Sequence, residues 1–135
     1  MKALDTNVLV RLLLADDVTQ LAQVKKVLAQ PQQFTSPITV IQELVGVLEA
    51  HNYSAAQVLH GLNLLLALPN YTPAHLAELR LALEWYAKGM DFADALHLAL
   101  REPALQLLTF DKSFIKLGKK QGLSTRGVDW VTAVT

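Results

Sequence analysis

Apolar positions fall along this chain in two rhythms. Two short, largely apolar runs, Met1 to Leu4 and Leu105 to Phe110, each end in an aspartate followed by polar residues, Asp5-Thr6-Asn7 and Asp111-Lys112-Ser113. Runs of this length with polar punctuation read as buried strands, while apolar residues returning every three or four positions read as helices. The first run predicts a strand over 2–5, followed at once by a helix from Asn7 to Leu14. Asp16 and Asp17 open a second helix to about Ala29, with Leu21, Val24, Val27 and Leu28 at helical spacing, and Pro31 ends it.

Phe34-Thr35 is a short strand candidate, and Ser36-Pro37 supplies an N-cap and a first-turn proline for a helix to about Ala50. Ser54 caps a helix from Ala55 to about Leu68, Tyr71-Thr72 is a short edge strand, and Pro73 starts a helix reaching Lys88 before Gly89. Asp91 to Arg101 is the next helix, stopped by Pro103. Leu105 to Phe110 then forms a strand, Ser113 to Lys120 a short helix closed by Gly122, and Leu123-Ser124-Thr125 the last strand. Strands alternating with helices argue an α/β fold with a parallel sheet flanked by helices. In such sheets ligands bind outside the carboxyl ends of the strands, which is where Asp5 and Asp111 fall.

Composition narrows the class. A chain of 135 residues has room for one compact domain, so 1–135 is read as a single domain. With 52% hydrophobic and 18% charged residues, wholesale disorder is excluded. The formal net charge of zero gives no global basic field, yet Lys112, Lys116, Lys119, Lys120 and Arg126 follow Asp111 with no acid before Asp129. That stretch is either a solvated helix face or a strip that contacts a polyanion. Cysteine is absent, which removes disulfides and thiolate chemistry and fits an intracellular protein. Arg11 interrupts the apolar stretch from Val8 to Leu14, and no run approaches the roughly 20 apolar residues that span a bilayer, so a soluble, cytoplasmic protein with no membrane partner is expected.

Four acids stand out, each with an ordinary role beside the chemical one. Asp5 either caps the following helix with Thr6 and Asn7 or binds something positive, with Thr6 and Asn7 as supporting groups in both cases. Glu43, flanked by Val40, Leu44 and Val47, lies at the edge of a buried stripe or snorkels to water. Asp94 sits in an apolar helix whose cap is Asp91; it either complements the positive helix end or points into a crevice. Asp111 is a turn aspartate or repeats the logic of Asp5, with Thr109 beside it. His97 reads as a packed or partly exposed histidine, because no zinc-ligand spacing is present. Converged carboxylates would repel one another unless a cation neutralised them, and oxygen-only ligands suit Mg²⁺ or Mn²⁺. Such an ion activates water for attack on a phosphodiester, so metal-assisted phosphodiester hydrolysis is the reaction class inferred.

Four pieces of the chain, Leu4-Asp5-Thr6-Asn7, Glu43 after Ser36-Pro37, Phe92-Ala93-Asp94-Ala95-Leu96, and Leu108-Thr109-Phe110-Asp111-Lys112-Ser113-Phe114, together resemble PIN domains, and within them the VapC-type toxins of bacterial toxin-antitoxin pairs. The resemblance covers nearly the whole chain. It implies a three-layer α/β/α sandwich around a mainly parallel sheet and an Mg²⁺- or Mn²⁺-dependent endoribonuclease. Carried over, Asp5, Glu43, Asp94 and Asp111 match the catalytic, metal-holding acids, and Thr6, Asn7 and Thr109 the polar residues beside them. The resemblance further implies RNA as substrate, a homodimer, and a cognate antitoxin whose C-terminal segment occupies the groove near the acids. Arg11, Lys112, Lys116, Lys119 and Lys120 are candidate RNA-backbone contacts. The stretch Arg101 to Leu105 departs from the pattern in lacking the glycine turn often found there. Three other readings stand beside this one: a housekeeping PIN nuclease, a non-catalytic PIN-like module that binds RNA or protein, and a phosphatase or phosphoacceptor using Asp5. The last accounts least well for Asn7 and Glu43.

Overall fold

Short strands need help to stay in register, and the computed structural model, which describes residues 1–126 and 131–134 with the side chains of 121–126 excepted, shows where that help comes from. The chain divides into two compact units, Met1–Leu76 and Ala77–Thr135.

In the first unit β1 (Lys2–Ala3) runs parallel to β2 (Phe34–Thr35), with Lys2 opposite Phe34 and Ala3 opposite Thr35. The ladder is minimal: the Lys2 amide donates to the Gln33 carbonyl at 3.1 Å and the Leu4 amide to the Thr35 carbonyl at 2.7 Å. The edge strand expected at Tyr71-Thr72 is reduced to a single parallel bridge between Phe34 and Tyr71. Four helices follow the strands: α1 (Thr6–Leu14), α2 (Val18–Leu28), α3 (Ile38–Ala50) and α4 (Ala55–Leu66). Their starts are chemical. Asp17 accepts from the Gln20 amide at 2.9 Å, and Ser54 with Gln57 forms a reciprocal capping box. Their apolar stripes meet in a core of Leu9, Phe34, Ile41, Leu44, Val58 and Leu62.

Two expectations fail in this unit. Ser36 does not cap α3; Pro37 holds that position without a side-chain bond. The Ser36 hydroxyl, fully buried, donates instead to the Leu4 carbonyl at 2.7 Å. A buried strand-end carbonyl with no ladder partner is the more demanding acceptor, since leaving it unmet costs its full desolvation. The strand over 2–5 is also shorter and less buried than its sequence suggests. Lys2 and Ala3 are exposed and only Leu4 is buried, because among the described residues β1 pairs with β2 alone.

The second unit carries α5 (Leu76–Ala87, its first residue closing the other unit), α6 (Phe92–Leu100), β3 (Leu107–Thr109), α7 (Lys112–Arg126) and β4 (Val131–Ala133). Gly89, at φ +105°, ends α5 in the left-handed region where a side chain is strained, and the Met90 amide closes back onto the Trp85 carbonyl at 3.1 Å. Tyr86 and Phe92 meet edge to face at 5.7 Å across that turn. Strands β3 and β4 are parallel, with Leu107 opposite Val131 and Thr109 opposite Ala133. Helix α7 lies close on them: a Cβ at Gly118 would stand 2.7 Å from a Val131 methyl.

Here too the structure corrects the sequence. Residues 123–125, expected as the last strand, continue α7 through Gly122, and the strand forms later, at β-branched Val131 and Thr132. A single helical glycine costs only about 1 kcal/mol, too little to end a helix that packs on the sheet. The apolar run from Leu105 to Phe110 yields a strand of three residues, and Leu105, Leu108 and Phe110 are 55%, 67% and 83% exposed. Alternation along β3 puts Leu107 and Thr109 on one face and Leu108 on the other. Because Leu107 shares its face with Val131, the α7 side is the covered one, and Leu108 and Phe110 face away from it.

Among the described residues, then, seven helices and short parallel strand pairs give a mostly helical α/β fold, the class expected from the sequence. Ser36→Ala is expected to lower unfolding stability by about 1–2 kcal/mol, read from urea denaturation, because it orphans the Leu4 carbonyl; a loss below about 0.3 kcal/mol would show that the bond does not hold the strand end.

Candidate active site

The second unit sets three carboxylates near one another. Asp91 is the N-cap of α6, its carboxylate accepting from the Asp94 amide at 3.1 Å. The capping role is thereby filled by Asp91, and Asp94 is left without it. Asp94 is half-buried on the first turn of α6, and its carboxyl is pushed above the ordinary aspartate value. Burial is the largest cause, followed by the negative charges of Asp91 and Asp111, with His97 partly offsetting them. That coupling places Asp111, from the end of β3, within electrostatic reach of Asp94.

Asp111 is held by its neighbours. Its amide donates to the Thr109 hydroxyl at 3.1 Å, and its own carboxylate accepts from the Phe114 amide at 3.0 Å, capping α7. The Thr109 bond fixes the turn that carries Asp111. The cap occupies one carboxylate oxygen, Oδ1, leaving the other for a ligand.

The first unit carries the other candidates. Asp5 is exposed at the N-cap of α1, where its Oδ1 accepts from the Thr6 amide at 2.8 Å. Its ordinary capping role is therefore real, and again one oxygen remains. The Thr6 hydroxyl is buried with no hydrogen-bond partner among the described residues, an orphan directly beside Asp5. Asn7 is exposed on the first turn of α1. With Leu4, Val8, Arg11, Gln20 and Gln23 it lines a cavity of about 300 Å³ between α1 and α2. Glu43 is exposed on α3, outside the buried stripe formed by Ile41, Leu44, Val45 and Leu48.

The cations have clear positions. Arg11 is paired with Asp16 at 2.9 Å, both side chains substantially exposed. Lys112, Lys116, Lys119 and Lys120 are all exposed on α7. Their spacing of four, seven and eight residues from Lys112 puts them on one face of the helix. The Arg126 side chain and Asp129 lie outside the described residues.

Among the described residues no group of three or more His, Cys, Asp or Glu side chains is arranged to hold a metal ion. The donor chemistry nonetheless fits a hard divalent cation: the acids around Asp94 offer oxygen alone, and a positive ion would relieve the repulsion that Asp91 and Asp111 impose on it. Ser36, expected only as a helix cap, instead fixes the carbonyl of the residue before Asp5. Asp91 is the cap that the sequence announces, and in addition its charge bears on Asp94. Nothing in the sequence marked Ser36 as a strand anchor.

Compared with known families, residues 2–120 match the PIN domain, and the chain belongs to that family. PIN domains are typically nucleases and generally use divalent metals. No curated protein and no solved structure matches the chain. No helix of the described residues is long and apolar enough to cross a membrane.

An aspartate whose folded-state pKa lies above its unfolded value opposes folding once ionised; stability is fullest below the ordinary aspartate range and declines as pH rises through the raised value. Asp94→Asn in EDTA is therefore expected to raise the melting temperature at pH 7 by about 1–3 °C, a gain that fades below about pH 4. An unchanged or lower melting temperature at pH 7 would contradict the repulsion around Asp94.

Proposed function

We propose that this PIN-family chain is a metal-dependent endoribonuclease and the toxin of a type II toxin-antitoxin pair. The observation that carries the reading is the family match together with the half-buried Asp94, whose carboxyl lies within electrostatic reach of Asp111. In this reading 1–135 is a single nuclease domain, Asp5, Glu43, Asp94 and Asp111 are the residues that hold Mg²⁺ or Mn²⁺, and Thr6, Asn7 and Thr109 support them. The bound ion supplies an activated water and neutralises charge on the phosphate.

The chain's own residues do the rest. Thr109 holds the turn that carries Asp111, and the cap bond from the Asp94 amide to the Asp91 carboxylate fixes the first turn of α6, from which the Asp94 side chain leaves. The orphan Thr6 hydroxyl is free to orient Asp5 or a water next to it. Lys112, Lys116, Lys119 and Lys120, with Arg11, neutralise the RNA backbone, which positions the strand without reading its sequence. A cognate antitoxin and a homodimer in the cytoplasm complete the proposal.

The test is cleavage of a mixed RNA pool with Mg²⁺, Mn²⁺ or EDTA, with Asp5→Asn and Asp94→Asn beside wild type. Metal-dependent cutting that falls by at least about 100-fold in both variants is expected. Folded, antitoxin-free protein that cuts under no metal would favour a non-catalytic binding module. Cutting by a chain with no neighbouring gene for a small DNA-binding protein would favour a housekeeping nuclease. As a second readout, Mg²⁺ is expected to raise the melting temperature of wild type and not of Asp94→Asn; equal shifts would remove Asp94 from the ligand set.

A further inference from the structure

The cavity between α1 and α2 is walled by one stripe from each helix. On α1 the stripe is Asn7, Val8 and Arg11; on α2 it is Gln20, Gln23, Val24 and Val27, at helical spacings that keep each set on one side of its helix. Where two helices pack, the stripe each turns to the other is ordinarily apolar. Here the two stripes are apolar only in part, carry carboxamides at Asn7, Gln20 and Gln23, and leave a space of about 300 Å³ between them. Leu4, one Cα step of about 3.8 Å before Asp5, completes the wall, so an occupant lies beside the backbone that carries that acid.

The lining says what fits. Leu4 and Val24 are buried while the three carboxamides are exposed, so the cavity is apolar at depth and hydrogen-bonding at its mouth. The bond between Gln20 and Asp17 runs through the Gln20 backbone amide, so its carboxamide is not spent on the helix cap. A flat heterocycle with a polar edge matches this lining: aliphatic walls take its faces, and carboxamides, which donate and accept, meet its edge. A phosphate fits less well, because Arg11, the cation of the lining, is paired with Asp16 at 2.9 Å. An apolar side chain of a protein partner would fill the walls and strip the carboxamides of water without replacing its hydrogen bonds.

We infer that the cavity between α1 and α2 is a nucleobase subsite that seats one unpaired base of the RNA beside Asp5, with Gln20 and Gln23 as specificity-determining residues. The inference rests on the nuclease reading above and deepens it, because phosphate contacts along the lysine row place RNA without choosing its sequence. Gln20 and Gln23 touch the base and take no part in breaking the phosphodiester.

The experiment compares full-length wild type with a Gln20→Met, Gln23→Met double variant, which keeps bulk and removes both carboxamides, and with Val27→Trp, which fills the cavity. Sequencing the ends cut from a mixed RNA pool in Mg²⁺ gives the base preference at each position around the cut. Anisotropy of fluorescein-labelled oligo(A), oligo(C) and oligo(U) in EDTA gives the preference in binding alone. Wild type is expected to favour one base by at least about fivefold at a single position, and the double variant to bring that ratio below about twofold with its melting temperature unaltered. Val27→Trp is expected to bind the favoured oligonucleotide about tenfold more weakly; if it fails to fold, the glutamine variant decides. Wild type that cuts with no base preference, or a double variant that keeps the preference, overturns the subsite and leaves the nuclease standing. So does a Val27→Trp variant that folds and matches wild type in both assays, which would give the cavity to a protein side chain. Wild type that binds but does not cut removes the nuclease and leaves the subsite to be judged by the binding ratios; wild type that neither binds nor cuts removes both.

Discussion

Strands of two or three residues cannot hold their ends in place by ladder hydrogen bonds alone. Each candidate acid that follows a strand therefore depends on a bond made just outside the ladder. In the first unit it is the buried Ser36 hydroxyl on the Leu4 carbonyl, one residue before Asp5. In the second it is the Thr109 hydroxyl receiving the Asp111 amide. Both are single side-chain bonds at the strand terminus, and both fix the backbone from which a carboxylate leaves. The helices then inherit their starting points: Asp5 and Asp111 each turn one oxygen inward to cap the helix that follows. A carboxylate that caps with one oxygen is rotationally fixed, and its second oxygen is aimed without further cost in side-chain entropy.

The ordinary and the chemical readings of these acids are thus not rivals. At Asp5 and Asp111 the cap is the device that orients the acid. At Asp94 the division of labour differs, because Asp91 does the capping and Asp94 bears the electrostatic penalty. Burial and two like charges raise its carboxyl, and a fold selected for stability alone would place an amide or an apolar residue there. A half-buried carboxyl under the repulsion of two like charges is a local conflict, and it is this conflict that the proposed role of Asp94 draws on.

Much of this was legible in the chain. The capping residues Asp17, Ser54 and Asp91 each announced a helix that the structure contains, and the parallel pairing followed from the alternation of elements. What failed had a common cause. Ser36 was read as a cap, residues 123–125 as a strand and Leu105 to Phe110 as a buried run, and each depends on which neighbour lies alongside. A serine before a proline looks the same whether its hydroxyl meets a helix amide or a distant carbonyl. Gly122 looks like a stop until α7 packs on Val131 through Gly118. The acids themselves were readable by type and position, but the link between Asp94 and Asp111 is a matter of tertiary distance, which no spacing in sequence encodes.

The exposed face of β3 follows from the same geometry. Period-two alternation sends Leu107 toward Val131 and α7 and sends Leu108 and Phe110 the other way, so covering one face of the strand uncovers the other. A polar residue at 110 would remove the cost of exposing a phenyl group without disturbing the Thr109 and Asp111 bonds, since both run through the backbone and side chains on either side of it. The ring is therefore not needed to form the turn, and α7 does not bury it.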